Sequence, residues 1–278
     1  MNQNDRADAA STGRLTIGAG AAARDIAYIA LPAAPDAHTA PPAAPGSATL
    51  PGLVWLGGFK SDMTGTKAMA IEAYAAKTGR ACLRFDYSGH GASGGAFEDG
   101  TISRWLEESL AVIRARTRGR QVLIGSSMGG WIALLAARAL AEAGETDRIA
   151  GMVLIAPAVD FTAALMEPSL SAEARAEIAA TGRWMRPSEY SPEPYPITGA
   201  LLEDGRKHLM FGGAIRSYGP AHILQGMQDP DVPWKHALAL VEHLSGDPAT
   251  LSFIRDGDHR LSRDQDIARL IAAVAEIV

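Results

Sequence analysis

The sequence predicts an α/β fold in which helices cover both faces of a mostly parallel sheet. Short apolar runs alternate along the chain with longer stretches of helical periodicity, which is typical of this class. The chain has 278 residues, of which 47% are hydrophobic, and α/β folds of this length are commonly one domain with one large core. We therefore expect residues 1–278 to form a single domain.

Eight apolar runs have the length and composition of strands. The first two lie close enough in sequence to pair as a hairpin, and helical patterns separate the later ones. The Ala- and Pro-rich segment 32–52 interrupts the series, and we interpret it as a long exposed loop because proline cannot donate to a sheet. The eight runs are LTIGA (15–19), DIAYIAL (25–31), LVWLG (53–57), ACLRFD (81–86), QVLIG (121–125), GMVLIAP (151–157), AHILQG (221–226) and TLSFIRD (250–256).

Three stretches between or after the strands have clear helical character. The segment from Trp131 to Leu140 is apolar almost all round, which indicates a helix buried on most sides. The last helix is predicted to begin at Ser262, because Gln265 follows it at the spacing of a capping box. An amphipathic helix precedes QVLIG, and its apolar stripe consists of Ile102, Trp105, Leu106, Leu110 and Ile113.

The interval between the sixth and seventh strands is, at roughly sixty residues, too long for a simple crossover. It contains a helical pattern at 171–182 and an aromatic, proline-rich tract at 183–196. We predict that residues 161–218 form a cap over a functional site, because long ordered insertions are commonly functional. A surface excursion without that role is the alternative.

Charge and composition argue against several classes of function. The net charge is −5, with acidic and basic residues interspersed, so nucleic acid is not an expected partner. No stretch approaches the ~18 uninterrupted apolar residues of a membrane helix, and we expect no stable membrane insertion. The single Cys82 excludes an internal disulfide framework, and the N-terminus lacks the apolar core of a secretory signal. We therefore expect a cytoplasmic protein.

The segment from Gly125 to Gly129, GSSMG, matches the G-x-S-x-G pattern of a nucleophile elbow. It follows the apolar strand QVLIG and opens an apolar helix, which is the context that an elbow requires. A sharp strand-to-helix turn strains the backbone of the serine, and the turn is possible only if the flanking positions lack bulky side chains. The pattern therefore predicts Ser127 as a nucleophile, with the positive end of a helix behind its hydroxyl.

A serine nucleophile near neutral pH needs a base and an acid that orients the base. In a fold with this elbow the order along the chain is serine, acid, histidine. His259 follows the last strand in a short loop, and we predict it as the base. Asp229 follows the strand AHILQG and is the favoured acid, with Asp231 and Asp160 as alternatives.

An oxyanion hole requires two backbone N–H groups. We predict that Met128 supplies one, since it directly follows the nucleophile, and that Phe59 in the glycine-rich loop after LVWLG supplies the other. The substrate pocket is predicted to include Lys60, Trp131, Trp184 and Met185, although the last two residues, like Tyr190 and Tyr195, could instead pack the insertion onto the body.

No motif in the sequence requires a metal or an organic cofactor. The segment from Gly89 to Gly94 matches the G-x-G-x-x-G dinucleotide fingerprint, but no helix opens directly after it and the next strand ends without an acidic residue. We interpret it as a structural turn at the rim of the pocket. Asp256, Asp258 and His259 lack a second histidine or cysteine cluster, so we predict no metal site there.

Taken together, these motifs resemble the α/β-hydrolases. GGFKSDMTGTKA, RFDYSGHGASGG, GSSMGGW, GMQDPDVPW and DGDHR are similar to the mitochondrial acyl-protein thioesterases also described as acyl-glucuronide esterases, from about residue 50 to the C-terminus. The resemblance implies an α/β-hydrolase fold with a cap, a triad of Ser127, Asp229 and His259, and activity on acyl thioesters and activated esters. The His-Gly pairs common before the oxyanion loop and before the acid are Gly57-Gly58 and Gln225-Gly226 here, so substrate preference is not carried over.

The sequence thus predicts a serine hydrolase that cleaves carboxylic esters or thioesters of small molecules or acylated proteins through an acyl-enzyme on Ser127. A ligand-binding protein on the same scaffold, in which the three residues are idle, is the alternative. Dehalogenase or epoxide-hydrolase chemistry is excluded because it needs a carboxylate at the elbow.

Overall fold

An eight-stranded sheet forms the centre of the computed structural model, which describes residues 10–34, 50–187 and 193–278. In order across the sheet, the strands are β1 Ser11–Ile17, β2 Arg24–Leu31, β4 Cys82–Phe85, β3 Gly52–Leu56, β5 Gln121–Ser126, β6 Ile149–Ile155, β9 Ala221–Gly226 and β10 Ala249–Ile254. β2 runs antiparallel to both of its neighbours and the remaining pairs are parallel. The predicted α/β fold class and its eight strands are confirmed. The predicted loop 32–52 lies largely outside the described residues.

The sheet strands follow the predicted runs, although several ends differ. The central strands are buried along their whole length, because helices cover both faces of the parallel part and leave no face for polar alternation.

Two apolar cores lie on opposite faces of the sheet. One contains Trp105 and Trp131 from the helices α2 (Ile102–Arg116) and α3 (Met128–Glu142), and α6 (Trp234–His243) also packs on this side. The other contains Ile71 of α1 (Thr66–Thr78) and Leu270 of α7 (Asp264–Ile277). As predicted, α3 is almost entirely buried and α2 presents an apolar stripe.

The predicted start of the last helix is wrong by two residues. The helix α7 begins at Asp264, and its N-terminus is closed by Asp266, whose carboxylate accepts the backbone N–H of Arg263 at 3.3 Å and its guanidinium at 2.7 Å. The hydroxyl of Ser262 instead donates to the carbonyl of Arg260 at 3.0 Å. The pair of Arg263 and Asp266 therefore replaces the capping pair expected from Ser262 and Gln265.

The segment between β6 and β9 contains a π-helical turn at Thr162–Met166, a short helix at Glu167–Ser169, α4 (Ala172–Thr181) and α5 (Gly199–Gly205). The predicted helix at 171–182 is confirmed, since Ser171 caps α4 and Gly182 ends it in the left-handed conformation. No strand was predicted in the aromatic, proline-rich tract, but it contains β7 (Arg183–Arg186) and the start of β8 (Tyr195–Thr198), which pair antiparallel. Tyr190 lies outside the described residues.

Two buried carboxylates attach this segment to the body of the molecule. Asp160 accepts the backbone N–H groups of Met210 and Phe211, each at 2.9 Å, and burial raises its pKa. Asp204 of α5 accepts the N–H of Ser103 at 2.7 Å in the first turn of α2. Within the described ranges, no helix has the length and apolar character needed to cross a membrane.

Candidate active site

Ser127 lies at the turn between β5 and α3. Its φ of 54° and ψ of −121° fall in a region that L-residues rarely occupy, and its N–H donates to the carbonyl of Ile155 at 2.8 Å. A Cβ atom on Gly125 would lie under 3.0 Å from the backbone of Gly129, and one on Gly129 would lie equally close to the backbone of Leu56. The turn therefore requires glycine on both sides of the serine, as the sequence pattern indicates.

The structure brings Ser127, His259 and Asp229 together from three separate loops. The Nε2 atom of His259 lies 3.1 Å from the Oγ atom of Ser127, and its Nδ1 atom lies 2.7 Å from Oδ2 of Asp229. Asp229 follows β9 and His259 follows β10, so both loops leave the sheet at the same edge as the elbow. This arrangement connects the serine hydroxyl to a buried carboxylate through one imidazole.

The carboxylate of Asp229 is fixed by its own loop. Oδ1 accepts the N–H groups of Asp231 at 2.9 Å and Val232 at 2.8 Å, while Oδ2 also accepts the side-chain amide of Gln225 at 3.2 Å. Gln225 further donates to the carbonyl of Val232 at 2.9 Å. Gln225 stands where the proteins that the sequence resembles commonly have histidine, and these hydrogen bonds hold the loop of Asp229 in place. The sequence alone did not indicate this role.

Lys67 of α1 reaches the loop that carries His259. Its ammonium donates to the carbonyl of Arg260 and lies 3.5 Å from the hydroxyl of Ser262. Burial lowers the pKa of Lys67 to about 8. The loop is therefore held from the helix side as well as through Asp229.

The loop after β3 packs directly against the elbow. A Cβ atom on Gly58 would lie 3.2 Å from the carbonyl oxygen of Ser126 and 3.4 Å from Cβ of Ser127. Within the described chain, the N–H groups of Phe59 and Met128 meet no hydrogen-bond acceptor. Both residues line the same pocket as Ser127.

His90 is a residue whose position sequence reasoning missed. Its Nε2 atom accepts the N–H of Lys60 at 3.1 Å, and Nδ1 donates to the carbonyl of Ser88 at 3.2 Å. Burial lowers the pKa of His90 to about 4. The signal was present in the sequence, because the SGHG segment follows β4, which lies next to β3 in the sheet. The segment was interpreted only as a structural turn.

A cavity of about 680 Å³ opens above Ser127 and His259. Its apolar wall includes Phe161, Leu165 and Met166, which follow β6 in the π-helical turn and the residues before it. Charged side chains also line it, among them Lys60, Arg186, Arg260, Glu193 and Asp231. A cavity with an apolar wall and polar groups at a few positions is typical of small-molecule sites.

One of the four predicted pocket residues, Lys60, lines this cavity, and the other three do not. Trp131 is fully buried behind Phe161, with ring centroids 5.6 Å apart. Trp184 packs against the body, and Met185 points to the other face of β7, where it is 39% exposed. Trp184 therefore packs the insertion onto the body, which was the alternative to a pocket role, and Met185 faces outward.

A sequence model of the alpha/beta hydrolase family matches residues 44–273. The chain belongs to the α/β-hydrolase family. Mitochondrial palmitoyl-protein thioesterase ABHD10 from Pongo abelii is 33% identical over 229 residues, which cover 82% of this chain and 73% of that relative. A putative hydrolase from Agrobacterium vitis S4 is 51% identical, with 97% and 99% of the two chains covered and a TM-score of 0.89. Mouse alpha/beta hydrolase domain-containing protein 10 is 29% identical, with 96% and 98% covered and a TM-score of 0.79.

These comparisons confirm the family resemblance, and this α/β-hydrolase is accordingly a hydrolase enzyme.

The other acid candidates occupy different positions. Asp160 is engaged by the backbone of Met210 and Phe211, and Asp231 lines the cavity without capping α6, whose first turn receives no side-chain cap.

One cluster in this α/β-hydrolase has the donor types of a metal site. Ligand atoms of Asp229, Asp231 and His259 all lie within 4.8 Å of one another. The hydrogen bonds described above already engage both oxygens of Asp229 and the Nδ1 atom of His259, so a cation would have to displace them. Asp256 pairs with Arg263 at 2.7 Å instead of joining His259.

Proposed function

We propose that this α/β-hydrolase is a serine hydrolase that cleaves carboxylic esters or thioesters through an acyl-enzyme on Ser127. The observation that supports it is the continuous hydrogen-bonded path from Ser127 through His259 to Asp229, at 3.1 and 2.7 Å, on the wall of a cavity of about 680 Å³. This is the geometry that proton transfer from a serine nucleophile needs.

In the proposed reaction, His259 takes the hydroxyl proton on Nε2 while Oγ of Ser127 bonds to the substrate carbonyl carbon. The carbonyl oxygen becomes an oxyanion, which the N–H groups of Phe59 and Met128 stabilise. Asp229 stabilises the imidazolium, which then protonates the leaving group as the acyl-enzyme forms. Water repeats the sequence, with its proton passing to His259, and releases the acid and the free serine.

The substrate class follows from the cavity and from the chemistry of the leaving group. The apolar wall at Phe161, Leu165 and Met166 suits an acyl chain. A thiolate leaves with a pKa of about 8.5, so the histidine has less protonation to perform than with an alcohol. We therefore assign esters or thioesters of small molecules or acylated proteins as substrates, in keeping with the thioesterase name of the relatives.

We further propose that residues 1–278 act as a single domain in which residues 161–218 form the cap over this cavity. Leu165, Met166 and Arg186 all line the cavity and all belong to that segment.

A cytoplasmic location remains our proposal, whereas the named relatives are mitochondrial. Fractionation of native cells with an antibody to the chain tests the location.

The experiment that tests the function is labelling with a fluorophosphonate probe, combined with turnover of p-nitrophenyl butyrate and an acyl-thioester. Wild type should be labelled, and Ser127→Ala should lose the label and about 10⁴-fold or more of turnover. Ser126→Ala is the matched control, since it removes the neighbouring hydroxyl and should keep the label. Equal labelling of wild type and Ser127→Ala, or saturable ligand binding without any turnover, contradicts the proposal and favours a binding protein.

A further inference from the structure

The oxyanion loop holds a strained residue next to one of its proposed donors. Lys60 has a φ of 60°, in the left-handed region that favours glycine. The N–H of Lys60 belongs to the peptide unit that follows Phe59, and the N–H of Phe59 belongs to the peptide unit before that one. A non-glycine residue persists in this conformation only where its surroundings hold it there.

The N–H of Lys60 donates to Nε2 of His90 at 3.1 Å. Since Nε2 accepts, the ring proton lies on Nδ1, which donates to the carbonyl of Ser88 at 3.2 Å. Burial holds the pKa of His90 near 4, so the ring is neutral at pH 7 and keeps the lone pair that accepts from Lys60.

The ring of His90 is itself immobilised. It is 4% exposed and packs against Phe97 and Trp105, with centroid distances of 5.1 and 5.2 Å. The side chain of Phe59 contacts the same two rings, at 4.9 and 5.9 Å. One aromatic cluster therefore holds both the side chain of Phe59 and the imidazole that binds the next amide.

We propose that His90 is a positioning residue that acts through the amide of Lys60 to direct the N–H of Phe59 toward the oxyanion. The proposal rests on the proposed function, and it assigns a role to a side chain that does not touch the substrate. Within the described residues, His90 is the side chain whose acceptor atom binds the amide next to Phe59.

His90→Leu removes the acceptor, and His90→Gln restores one through its side-chain carbonyl. We expect His90→Leu to lower kcat by about 10- to 100-fold with little change in KM, because the donor is misdirected and not deleted. Affinity for a trifluoromethyl ketone, whose adduct with Ser127 carries an oxyanion, should fall by the same factor. His90→Gln should recover most of both losses.

His222→Leu is the matched control. His222 is 6% exposed and makes two side-chain contacts, with Glu276 and Ser252 at 2.9 Å each, at the opposite end of β9 from Asp229. The His222→Leu variant should have a lower melting temperature than wild type, with unchanged kcat and unchanged affinity for the ketone. A purely structural role for His90 would give the same result as this control.

Unchanged kcat and ketone affinity in His90→Leu overturn the proposal. If that variant does not fold, imidazole nitrogen NMR of the wild type decides, because a proton on Nε2 of His90 is incompatible with accepting from Lys60. A wild type that neither labels nor turns over substrate contradicts the proposed function instead, and leaves the NMR result to stand separately.

Discussion

At Asp229, all four hydrogen bonds come from donors: two backbone N–H groups, the amide of Gln225 and the imidazole of His259. Its side chain is fully buried. Because all four partners of this buried carboxylate donate hydrogen bonds, they stabilise its negative charge. An asparagine at the same position would turn its N–H₂ group toward one of these donors. The surroundings of this residue therefore specify a carboxylate as well as a shape.

Asp229→Asn should lower kcat by roughly 10³- to 10⁴-fold, because the imidazole loses both its orientation and the charge that stabilises its protonated form. Steady-state kinetics on an activated ester measure the effect. Asp160→Asn is the matched control, since Asp160 is also buried and also accepts two backbone N–H groups. It should lose stability with a much smaller loss of kcat. A larger loss of kcat in Asp160→Asn than in Asp229→Asn would make Asp160 the acid.

The elbow is the element whose sequence signal and structure agree most closely. G-x-S-x-G between an apolar strand and an apolar helix predicted the turn, and the close backbone contacts at Gly125 and Gly129 give the physical reason. The pair β7 and β8 had no comparable signal, because four prolines occur in or beside the tract and the pairing joins residues across a gap in sequence. Local patterns predict an element only when local forces determine it.

Gly129→Ala should destabilise the fold by about 1–3 kcal/mol or more, because the added Cβ meets backbone atoms, which cannot move aside like a flexible side chain. Thermal unfolding, with esterase activity measured in parallel, tests this. Gly212→Ala is the control, since a Cβ atom there has no neighbour within 4 Å. Equal melting temperatures for the two variants would show that the elbow tolerates a side chain.

At the scale of the whole molecule, parallel strands explain why much of the site could be predicted. Their carboxyl ends meet at one edge of the sheet, so strand order along the chain was enough to place the loops of Ser127, Asp229 and His259 near one another. Pocket residues were harder, because composition does not fix the direction of a side chain. Trp131 faces the core from a helix that is buried on most sides, and Met185 alternates away from the cavity along β7.

The same buried architecture keeps several histidines neutral. Burial lowers the pKa of His90 to about 4 and also lowers the pKa values of His208 and His236. In the unfolded chain these rings would bind protons below about pH 6.5. Through these three rings the unfolded state binds more protons than the folded state between about pH 6.5 and 4, so their contribution to stability falls as the pH falls through this window. Asp86 and Asp160, whose pKa values are raised by burial, act in the opposite direction.

We therefore expect His90 alone to make the free energy of unfolding fall by about 3 kcal/mol between pH 6.5 and 4, since its pKa lies near 4 in the folded state. Urea unfolding of wild type and His90→Gln at several pH values isolates this contribution, because the aspartates and other histidines titrate alike in both proteins. The stability difference between the two should shrink or reverse as the pH is lowered, because the glutamine cannot be protonated. A constant difference in the free energy of unfolding between pH 6.5 and 4 would mean that His90 titrates normally and is reached by solvent. The ring would then be protonated in mildly acidic solution and could no longer accept the N–H of Lys60.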